Sequence, residues 1–472
     1  MRTIDTVKEI ETICNQVLRK VTPKRTEREA TIRFSQQIVE KVAHELNRVN
    51  LQADVQIQGS IAKDTWLAGE KDIDVFVSLE KQHGKEIFFK VLKVIKSIAG
   101  EQWKEAYAEH PYIKAIINNY KIDFVPCFKI EEGEETGSSV DRTPLHTAYV
   151  RTHLSQEAHS EVRLLKQFLR GIGVYGAEIK VQGFSGYLCE LLILYYQSFR
   201  HTLQAMTSWQ CGQLIQIENH ERKDNIKCLF NTPLIVIDPI DPQRNVAAAV
   251  SVEKFGETIL AARYFLATPE RSFFFPREDK TLSKNALTHA IERLNFDVIF
   301  VLFKGTETIP DILWGQLYKT TQALRRALTE NTFSVLREST WSDEKELNII
   351  IFGLETASIP LIKKHLGPPI DSKEATSFIE KYSRNTVVVA GPIIEENRWV
   401  VYLKRHHTDA VMFLNAFLKE EVENLGVASG LVQSIREATI VKNTEILDFT
   451  TSNQEFTTFF SEFLRGKPKW MK

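Results

Sequence analysis

Apolar residues recur at helical spacing over the first fifty positions of the chain. Two segments, 4–19 and 27–49, carry apolar side chains at steps of about three to four residues and are separated near Pro23. In the second segment the spacing is set by Ile32, Ile38, Val42 and Leu46. Such a pattern gathers apolar side chains on one face, so we predict two amphipathic helices.

A period of two follows further along the chain, and this period indicates strands. It is clearest at 73–79, where one face would carry Ile73, Val75, Val77 and Leu79. Weaker patterns predict a helix at 86–98, a loop rich in Glu, Gly and Ser at 131–144, and further strands at 54–58, 112–117 and 120–128. Residues 1–150 should therefore combine helices with a small mixed sheet.

The pattern beyond residue 150 is first helical and then mixed. A helix is predicted at 158–170, ending at Gly171, and segment 186–199 is apolar on nearly every side, as in a buried helix. A further helix is predicted at 311–330, and later strands at 297–303, 347–353, 386–391 and 398–403.

These elements predict an α+β multidomain protein, because 472 residues are too many for one ordinary core. We expect a first domain at 1–150 and a helical central domain at 151–265. An α/β C-terminal domain would comprise 266–310 and 366–472, with 311–365 inserted into it as a tail domain.

The composition is that of a globular protein. The chain is 43% hydrophobic and 26% charged, as expected of a protein with sizeable cores. Its net charge of -1 neither indicates nor excludes a nucleic-acid partner, because basic residues can cluster on one face. Five cysteines without a CxxC pair argue against a disulfide framework or a zinc site. The sequence shows neither a signal core nor an apolar run of about 18 residues, so we expect a cytoplasmic protein without a membrane span.

Candidate chemistry lies in three aspartates on predicted strands, Asp72, Asp74 and Asp123. Asp72 and Asp74 are two residues apart, so their carboxylates share one face of the strand. Two such carboxylates repel each other unless they are protonated or bridged by a cation. If the strand of Asp123 neighbours theirs, three hard oxygen ligands converge, as two-metal phosphoryl transfer with Mg²⁺ requires.

Each of these signals is weak when it stands alone. An isolated DxD is usually polar surface, and a Gly-Ser turn is common. Here Gly59-Ser60 ends a predicted strand, eleven residues follow, and then come Asp72, Asp74 and the later Asp123. This combination is far more specific than any of its parts.

The combination resembles the nucleotidyltransferase superfamily that includes DNA polymerase β. More narrowly, the chain resembles the archaeal-type (class I) CCA-adding enzymes from residue 59 to about 317. The segments that carry this resemblance are GSIAKDTWLAGEKDIDVFV, SSVDRTPLHTAYV, EVRLLKQFLRGIGVYGAEIKVQGFSGYLCELLILYY, DPIDPQRNVAAAVS and DILWGQL, with EFLRGKPKW near the end of the chain.

The resemblance implies a polymerase-β-like catalytic domain and a set of residues that contact the incoming nucleotide. These nucleotide-binding residues would be Gly59, Ser60, Lys63, Thr143, His146, Lys166, Tyr175 and Arg244. The sequence supports Lys166 independently, because Arg163, Lys166 and Arg170 form a basic face on one predicted helix. For Arg163 and Arg170 a merely solvated face is the alternative. His146 gains a role only from the resemblance.

The implied reaction is attack of the tRNA 3′-hydroxyl on the α-phosphate of CTP or ATP, with release of pyrophosphate and with Mg²⁺ as cofactor. Asp72, Asp74 and Asp123 would hold the metal, Gly59 and Ser60 the terminal phosphates, and Arg244 would read the base. The resemblance also implies that the inserted tail domain, 311–365, binds tRNA far from its 3′ end. The alternatives are a poly(A) polymerase or oligoadenylate synthetase, which could use the same site, and an RNA-binding protein with an inactive transferase domain. A homodimer is compatible with the sequence.

Overall fold

The protein folds as two compact units, Met1–Glu278 with Pro468–Lys472 and Asp279–Lys467. The computed structural model describes residues 2–107, 110–130, 138, 140–218, 230–277, 281–420 and 426–471. The predicted loop at 131–144 falls largely outside these residues, and its last two positions already belong to a helix. Within the described ranges, we find no helix with the length and apolar character needed to cross a membrane.

The first unit contains a five-stranded sheet followed by helices. Its helices are α1 (Arg2–Val21), α2 (Arg25–Arg48), α3 (Gly59–Ala62), α4 (Glu86–Ile98), α5 (Thr143–His153), α6 (Ala158–Gly171), α7 (Gly186–Tyr196), α8 (Phe199–Met206) and α9 (Val252–Ala267). Its strands are β1 (Asp54–Gln58), β2 (Asp72–Leu79), β3 (Trp103–Tyr107), β4 (Pro111–Ile117), β5 (Tyr120–Phe128), β6 (Gln213–Gln216) and β7 (Leu234–Ile237).

The five-stranded sheet has the order β1-β2-β5-β4-β3 and is mixed, as the sequence predicted. Strands β2 and β5 run parallel, whereas the other neighbours are antiparallel. The alternation in β2 buries Ile73, Val75 and Val77 in a core with side chains of α2 and α4. The same alternation turns Asp72 and Asp74 to the opposite face of the sheet.

A second core of this unit is built from helices. Residues 188–193 of the predicted helix 186–199 are buried, whereas Tyr195 is exposed. The helix ends earlier than predicted, at Tyr196, because Gln197 adopts a left-handed conformation (φ 69°). Ser198 then caps α8 by accepting a hydrogen bond from the backbone N–H of His201. Aromatic side chains fill much of this core, namely Phe168, Phe199, Phe265, Phe273 and Phe274.

The second unit contains two separate antiparallel sheets. Its helices are α10 (Lys284–Arg293), α11 (Pro310–Glu330), α12 (Ala375–Ser383), α13 (Ala410–Glu420), α14 (Val432–Arg436), α15 (Leu447–Ser452) and α16 (Gln454–Arg465). Its strands are β8 (Asp297–Lys304), β9 (Val335–Ser342), β10 (Leu347–Leu354), β11 (Ile362–Pro369), β12 (Val388–Glu395), β13 (Arg398–Lys404) and β14 (Thr439–Lys442). One sheet has the order β14-β8-β10-β9 and the other β11-β13-β12.

The structure does not set segment 311–365 apart as the inserted tail that we expected. Helix α11 packs through Leu313, Leu317 and Leu324 into the same core as strands β8 and β10. Strands β9 and β10 belong to the first sheet, so most of 311–365 completes that sheet. The segment with its own sheet and its own small core is instead 362–404.

Candidate active site

The three aspartates meet on adjacent strands. In the parallel pairing of β2 with β5, Asp74 lies directly opposite Asp123. Antiparallel pairing extends this row to Gln58 on one side and to Lys114 on the other. Asp72 lies two residues before Asp74 on the same face. The sequence analysis made convergence of the three carboxylates conditional on neighbouring strands, and the pairing of β2 with β5 meets that condition.

The aspartates line an open cleft of about 960 Å³. Basic side chains line it as well, namely Lys104, Lys114 and Lys121, together with the ring of Trp103. The Nζ atom of Lys114 lies 3.4 Å from Oδ2 of Asp123. The cleft is therefore lined by both carboxylates and ammonium groups.

The surroundings of Asp74 and Asp123 disfavour the charged form of both carboxylates. Burial, with repulsion from Asp123 and Asp72, raises the pKa of Asp74 to about 6, although Lys63 and Lys114 act in the opposite direction. Burial also raises the pKa of Asp123, despite the nearby Lys114. A bound cation would relieve this repulsion, because it stabilises the charged form of each carboxylate.

The donor set suits a hard divalent cation, since all three ligands offer carboxylate oxygens. Among the described residues, no group of three His, Cys, Asp or Glu side chains is already arranged to hold a metal ion. Instead, Asp74 points its Oδ2 toward Gly59, and Asp123 contacts Lys114. The residues fit the ion by chemistry and by strand position, and their side chains would have to turn toward it.

Gly59 joins β1 to α3 in a conformation that few other residues adopt. Its φ is 68°, and a Cβ added there would overlap Oδ2 of Asp74. Ser60 follows directly, and its carbonyl accepts a hydrogen bond from the N–H of Thr65 (2.9 Å). Glycine is therefore required where the backbone passes close to Asp74.

Two lysines from different parts of the sequence meet at a buried glutamate. Lys63 donates from Nζ to Glu190 Oε2 (2.5 Å), and Lys166 Nζ lies 3.6 Å from Glu190 Oε1. Thr65 donates its hydroxyl to Glu190 (2.5 Å) and contacts Lys166 Nζ (3.1 Å). We call Lys63, Thr65, Lys166 and Glu190 the lysine cluster. It brings two lysine side chains to one carboxylate, so the cluster carries a net positive charge when both lysines are protonated.

Tyr175 lies beside this lysine cluster. A Cβ added at Gly186, the first residue of α7, would be 3.2 Å from the Tyr175 hydroxyl and 3.5 Å from Lys166 Nζ. The guanidinium of Arg170 lies 5.2 Å from the centroid of the Tyr175 ring. Tyr175 and Lys166 therefore converge on the start of α7.

A second group of polar side chains surrounds Asp238, and we call Asp238, His146, Tyr187 and Arg244 the Asp238 cluster. His146 donates from Nε2 to Asp238 (2.9 Å), and Arg244 donates from NH1 to the same oxygen (2.8 Å). The rings of His146 and Tyr187 stack with centroids 4.2 Å apart. Lys63 Nζ lies 5.6 Å from the Tyr187 ring, which connects this cluster to the lysine cluster.

The other predicted residues have clear positions. Thr143 begins α5 one turn before His146. Arg163 is not on a solvated basic face: it is buried, and it donates to the carbonyl of Trp66 (2.9 Å) and the side chain of Asp64 (2.7 Å). Arg170 is more exposed and pairs with Glu70. Only Lys166, of these three basic residues, points into the lysine cluster.

Sequence reasoning missed Glu190 and Asp238. Glu190 is the one charged residue in the apolar segment GYLCELLILYY, and a lone charge in a buried helix was a signal that could have identified it. Asp238 begins the segment DPIDPQRNVAAAVS, which carries part of the resemblance, but the sequence analysis gave it no role. One partner of each residue lies far away in sequence, 127 positions for Lys63 and Glu190 and 92 for His146 and Asp238.

The carboxylate row on a small mixed sheet defines a nucleotidyltransferase of the polymerase-β-like fold, and residues 37–146 match the nucleotidyltransferase domain family. Residues 160–275 match the second domain of tRNA nucleotidyltransferases, and residues 293–443 match the C-terminal domain of CCA-adding enzymes. A CCA-adding enzyme of Methanosarcina barkeri is 35% identical over 436 residues, which cover 91% of this chain and 93% of the relative. One of Pyrobaculum neutrophilum is 37% identical over 402 residues, covering 85% and 92%. The chain therefore belongs to the family of CCA-adding enzymes.

Among solved structures, that of the Cid1 poly(U) polymerase is 14% identical with a TM-score of 0.46, covering 57% of this chain and 98% of that one.

Proposed function

We propose that this enzyme adds and repairs the 3′-terminal CCA of tRNA, using CTP and ATP and releasing pyrophosphate. The observation that carries the proposal is the register of Asp74 against Asp123, with a positively charged lysine cluster in the same unit. Carboxylates hold a metal ion and lysines bind phosphates, so the unit holds both groups that phosphoryl transfer needs.

Enzymes of the nucleotidyltransferase family use divalent metal ions, and Mg²⁺ suits Asp72, Asp74 and Asp123 best because it prefers carboxylate oxygens. When bound, Mg²⁺ neutralises the triphosphate and lowers the pKa of the attacking hydroxyl. The chain itself contributes the fixed spacing of the three carboxylates.

The triphosphate would lie between the Gly59-Ser60 turn and the lysine cluster. Ser60 offers a hydroxyl, Lys63 and Lys166 offer ammonium groups, and Tyr175 offers a hydroxyl beside Lys166. The surplus positive charge of the cluster would stabilise the negative charge that develops on the leaving pyrophosphate.

The sugar and base would meet the Asp238 cluster. Arg244 would address the base edge, because its planar guanidinium offers several donors in a fixed arrangement. His146 would contact the sugar or phosphates, with Thr143 one turn away on the same helix. Both Arg244 and His146 donate to Asp238, so a displacement of Asp238 would change the contact to the base and the contact to the sugar or phosphates at the same time.

Incorporation of labelled CTP and ATP into tRNA transcripts that lack their last three nucleotides tests this proposal. We expect products that end in C-C-A and then stop. A homopolymeric A tail would favour a poly(A) polymerase, and an absence of incorporation would favour an RNA-binding protein with an inactive transferase domain. The cytoplasmic location and the homodimer remain predictions, which fractionation and sedimentation would check.

A further inference from the structure

Asp238 is a buried carboxylate that accepts hydrogen bonds from four groups. Its Oδ2 receives Nε2 of His146 (2.9 Å) and NH1 of Arg244 (2.8 Å). Its Oδ1 receives the backbone N–H of Ile240 (3.0 Å) and the hydroxyl of Tyr187 (3.2 Å). The Asp238 side chain is fully buried, whereas that of Arg244 is 33% exposed. The interaction therefore anchors one end of a guanidinium that still reaches solvent.

The ionised state of Asp238 depends on these partners. Burial acts to raise the pKa of Asp238, but the hydrogen bond and charge of His146, with the hydrogen bonds from Arg244 and the backbone of Ile240, outweigh it and hold the pKa well below its usual range. A buried charge of this kind is stable only while its partners stay in place. Since the guanidinium is planar, fixing NH1 also orients its remaining N–H groups.

Building on the proposed function, we propose that Asp238 is the positioning residue for base selection. It holds Arg244 in the orientation that accepts cytosine and adenine nucleotides and disfavours uracil and guanine nucleotides. Because His146 shares the same oxygen, Asp238 also ties base selection to the residue assigned to the sugar and phosphates.

Replacement of Asp238 by asparagine reduces the number of hydrogen-bond acceptors and leaves the side-chain volume almost unchanged. The amide oxygen can replace only one of the two carboxylate oxygens as an acceptor. The NH₂ group then takes the place of the other oxygen and faces the groups that donated to it. Tyr187 and His146 can adapt, because a hydroxyl can accept and an imidazole can change tautomer. Arg244 cannot accept a hydrogen bond, so Asp238→Asn should release it or displace the N–H of Ile240.

Asp241 provides a matched control in the same turn. It lies three residues further on, and its carboxylate pairs with Arg142 rather than with Arg244. Asp241→Asn therefore weakens an aspartate–arginine pair of the same kind, at a side chain that takes no part in the Asp238–Arg244 contact.

The experiment measures kcat/KM for CTP, ATP, UTP and GTP on tRNA acceptors of defined 3′ end, with thermal melting of each variant. In Asp238→Asn the preference for CTP over UTP should fall about tenfold, which corresponds to about 1.4 kcal/mol. Asp241→Asn should keep the wild-type preference. An unchanged preference in Asp238→Asn, or an equal loss in both variants, would overturn the inference.

If Asp238→Asn does not fold, Arg244→Lys decides the question. This side chain is partly exposed, so the fold should tolerate the change, but a single ammonium cannot both stay on Asp238 and present a planar set of donors. Loss of base preference at an unchanged melting temperature supports the inference, and wild-type preference overturns it. Failure of the wild-type protein to add C and A to tRNA would instead refute the proposed function, so the two failures are distinguishable.

Discussion

Asp74 is a residue whose charge is unfavourable in the isolated protein and useful in the proposed reaction. It faces Asp123 across a parallel strand pair, and burial with this repulsion raises its pKa to about 6. An apolar side chain would be easier to accommodate at this position. A carboxylate is therefore best explained by a cation that binds the group in its charged form.

Asp74→Ala should lower nucleotide incorporation by at least about a hundredfold, since even residues that only support metal ligands contribute about 10- to 100-fold. The fold should persist, because the substitution removes no core volume. Single-turnover assays across a magnesium titration, with circular dichroism, would check this. Asp54→Ala, on the exposed start of β1, is the control and should keep wild-type activity. Wild-type turnover by Asp74→Ala with unchanged magnesium dependence would refute the assigned metal site.

Glu190 influences the protonation of Lys166, one of the two lysines that contact it. Burial lowers the pKa of Lys166, and the negative charge of Glu190 opposes that effect. Lys63 is close enough to Glu190 for a hydrogen bond, so the carboxylate also limits repulsion between the two ammonium groups. The protonated state of Lys166 therefore depends on Glu190.

Glu190→Gln should shift the alkaline limb of activity to lower pH. Without the carboxylate the pKa of Lys166 falls further, so the ammonium group loses its proton at a lower pH than in the wild-type protein. Profiles of kcat/KM for CTP against pH would show the shift. Glu161→Gln on α6 is a suitable control, because that carboxylate binds the N–H of Phe199 and lies outside the lysine cluster. Identical profiles in wild type and Glu190→Gln would exclude this role.

Single residues were predictable from the sequence where the signal was local. The spacing of Asp72 and Asp74 along one strand predicted a shared face, and the structure confirms it. Whether they approach Asp123 depends on the order of the strands in the sheet, and a single sequence does not determine that order. Glu190 had a local signal, because it is a lone charge in an apolar helix, but its partner Lys63 is 127 residues away. The role of Asp238 depends on His146, which is 92 residues away and which no local pattern connects to it.

At the scale of elements, regular patterns predicted helices and strands well. Helices α1 and α2 and strand β2 lie close to their predicted positions. The apolar face of α2 was partly wrong, because Ile32 is 44% exposed whereas Thr31 and Ser35 are buried. Hydrogen bonds explain the difference: Ser35 donates to the carbonyl of Thr31 (2.8 Å), and the hydroxyl of Thr31 contacts that of Tyr120 (3.2 Å). Periodicity cannot distinguish such satisfied polar groups from exposed ones.

The junction between β1 and α3 shows how an element boundary positions chemistry. Gly59→Ala should cost about 1–2 kcal/mol of stability for the left-handed backbone. It should reduce activity far more, because the new Cβ would displace the Asp74 carboxylate. Urea denaturation together with incorporation assays would separate the two effects. Gly84→Ala is the control, since that glycine also has positive φ (65°) but has open space around its Cβ position. Equal losses of activity in the two variants would contradict the steric explanation.

At the scale of the whole molecule, all residues assigned to catalysis or nucleotide binding belong to the first unit. The structure contains the predicted helix at 311–330 and the predicted strand at 347–353. It does not group them as a separate insertion. Their apolar faces complete the core around β8, and sequence spacing does not reveal which sheet a strand joins. Strands β9 and β14, which complete that sheet, were not predicted.

Segment 362–404 can be removed with little disturbance to the chain around it. The backbone N–H of Arg405 donates to the carbonyl of Leu361 (2.7 Å), so the two ends of the segment are already adjacent. Strands β11, β13 and β12 pair only among themselves in the described part of the chain, and Tyr382, Val401 and Leu403 form a core within the segment. Segment 311–354, by contrast, supplies a helix and two strands to the larger sheet.

Replacing 362–404 with a short glycine linker should weaken tRNA binding while leaving CTP binding and the melting of the first unit unchanged. The reason is that the resemblance to class I enzymes implies a tail that grips tRNA, and 362–404 is the segment that is structurally separable. Fluorescence binding of tRNA and of CTP, at several salt concentrations, would measure both affinities. If the segment contacts phosphates, its removal should also reduce the slope of tRNA affinity against salt concentration. Deletion of 311–354 serves as the contrast and should unfold the second unit, because it removes Leu313, Leu317 and Leu324 from the core. Undiminished tRNA affinity after loss of 362–404, or an equal loss of CTP affinity, would show that this segment is not the tRNA-binding tail.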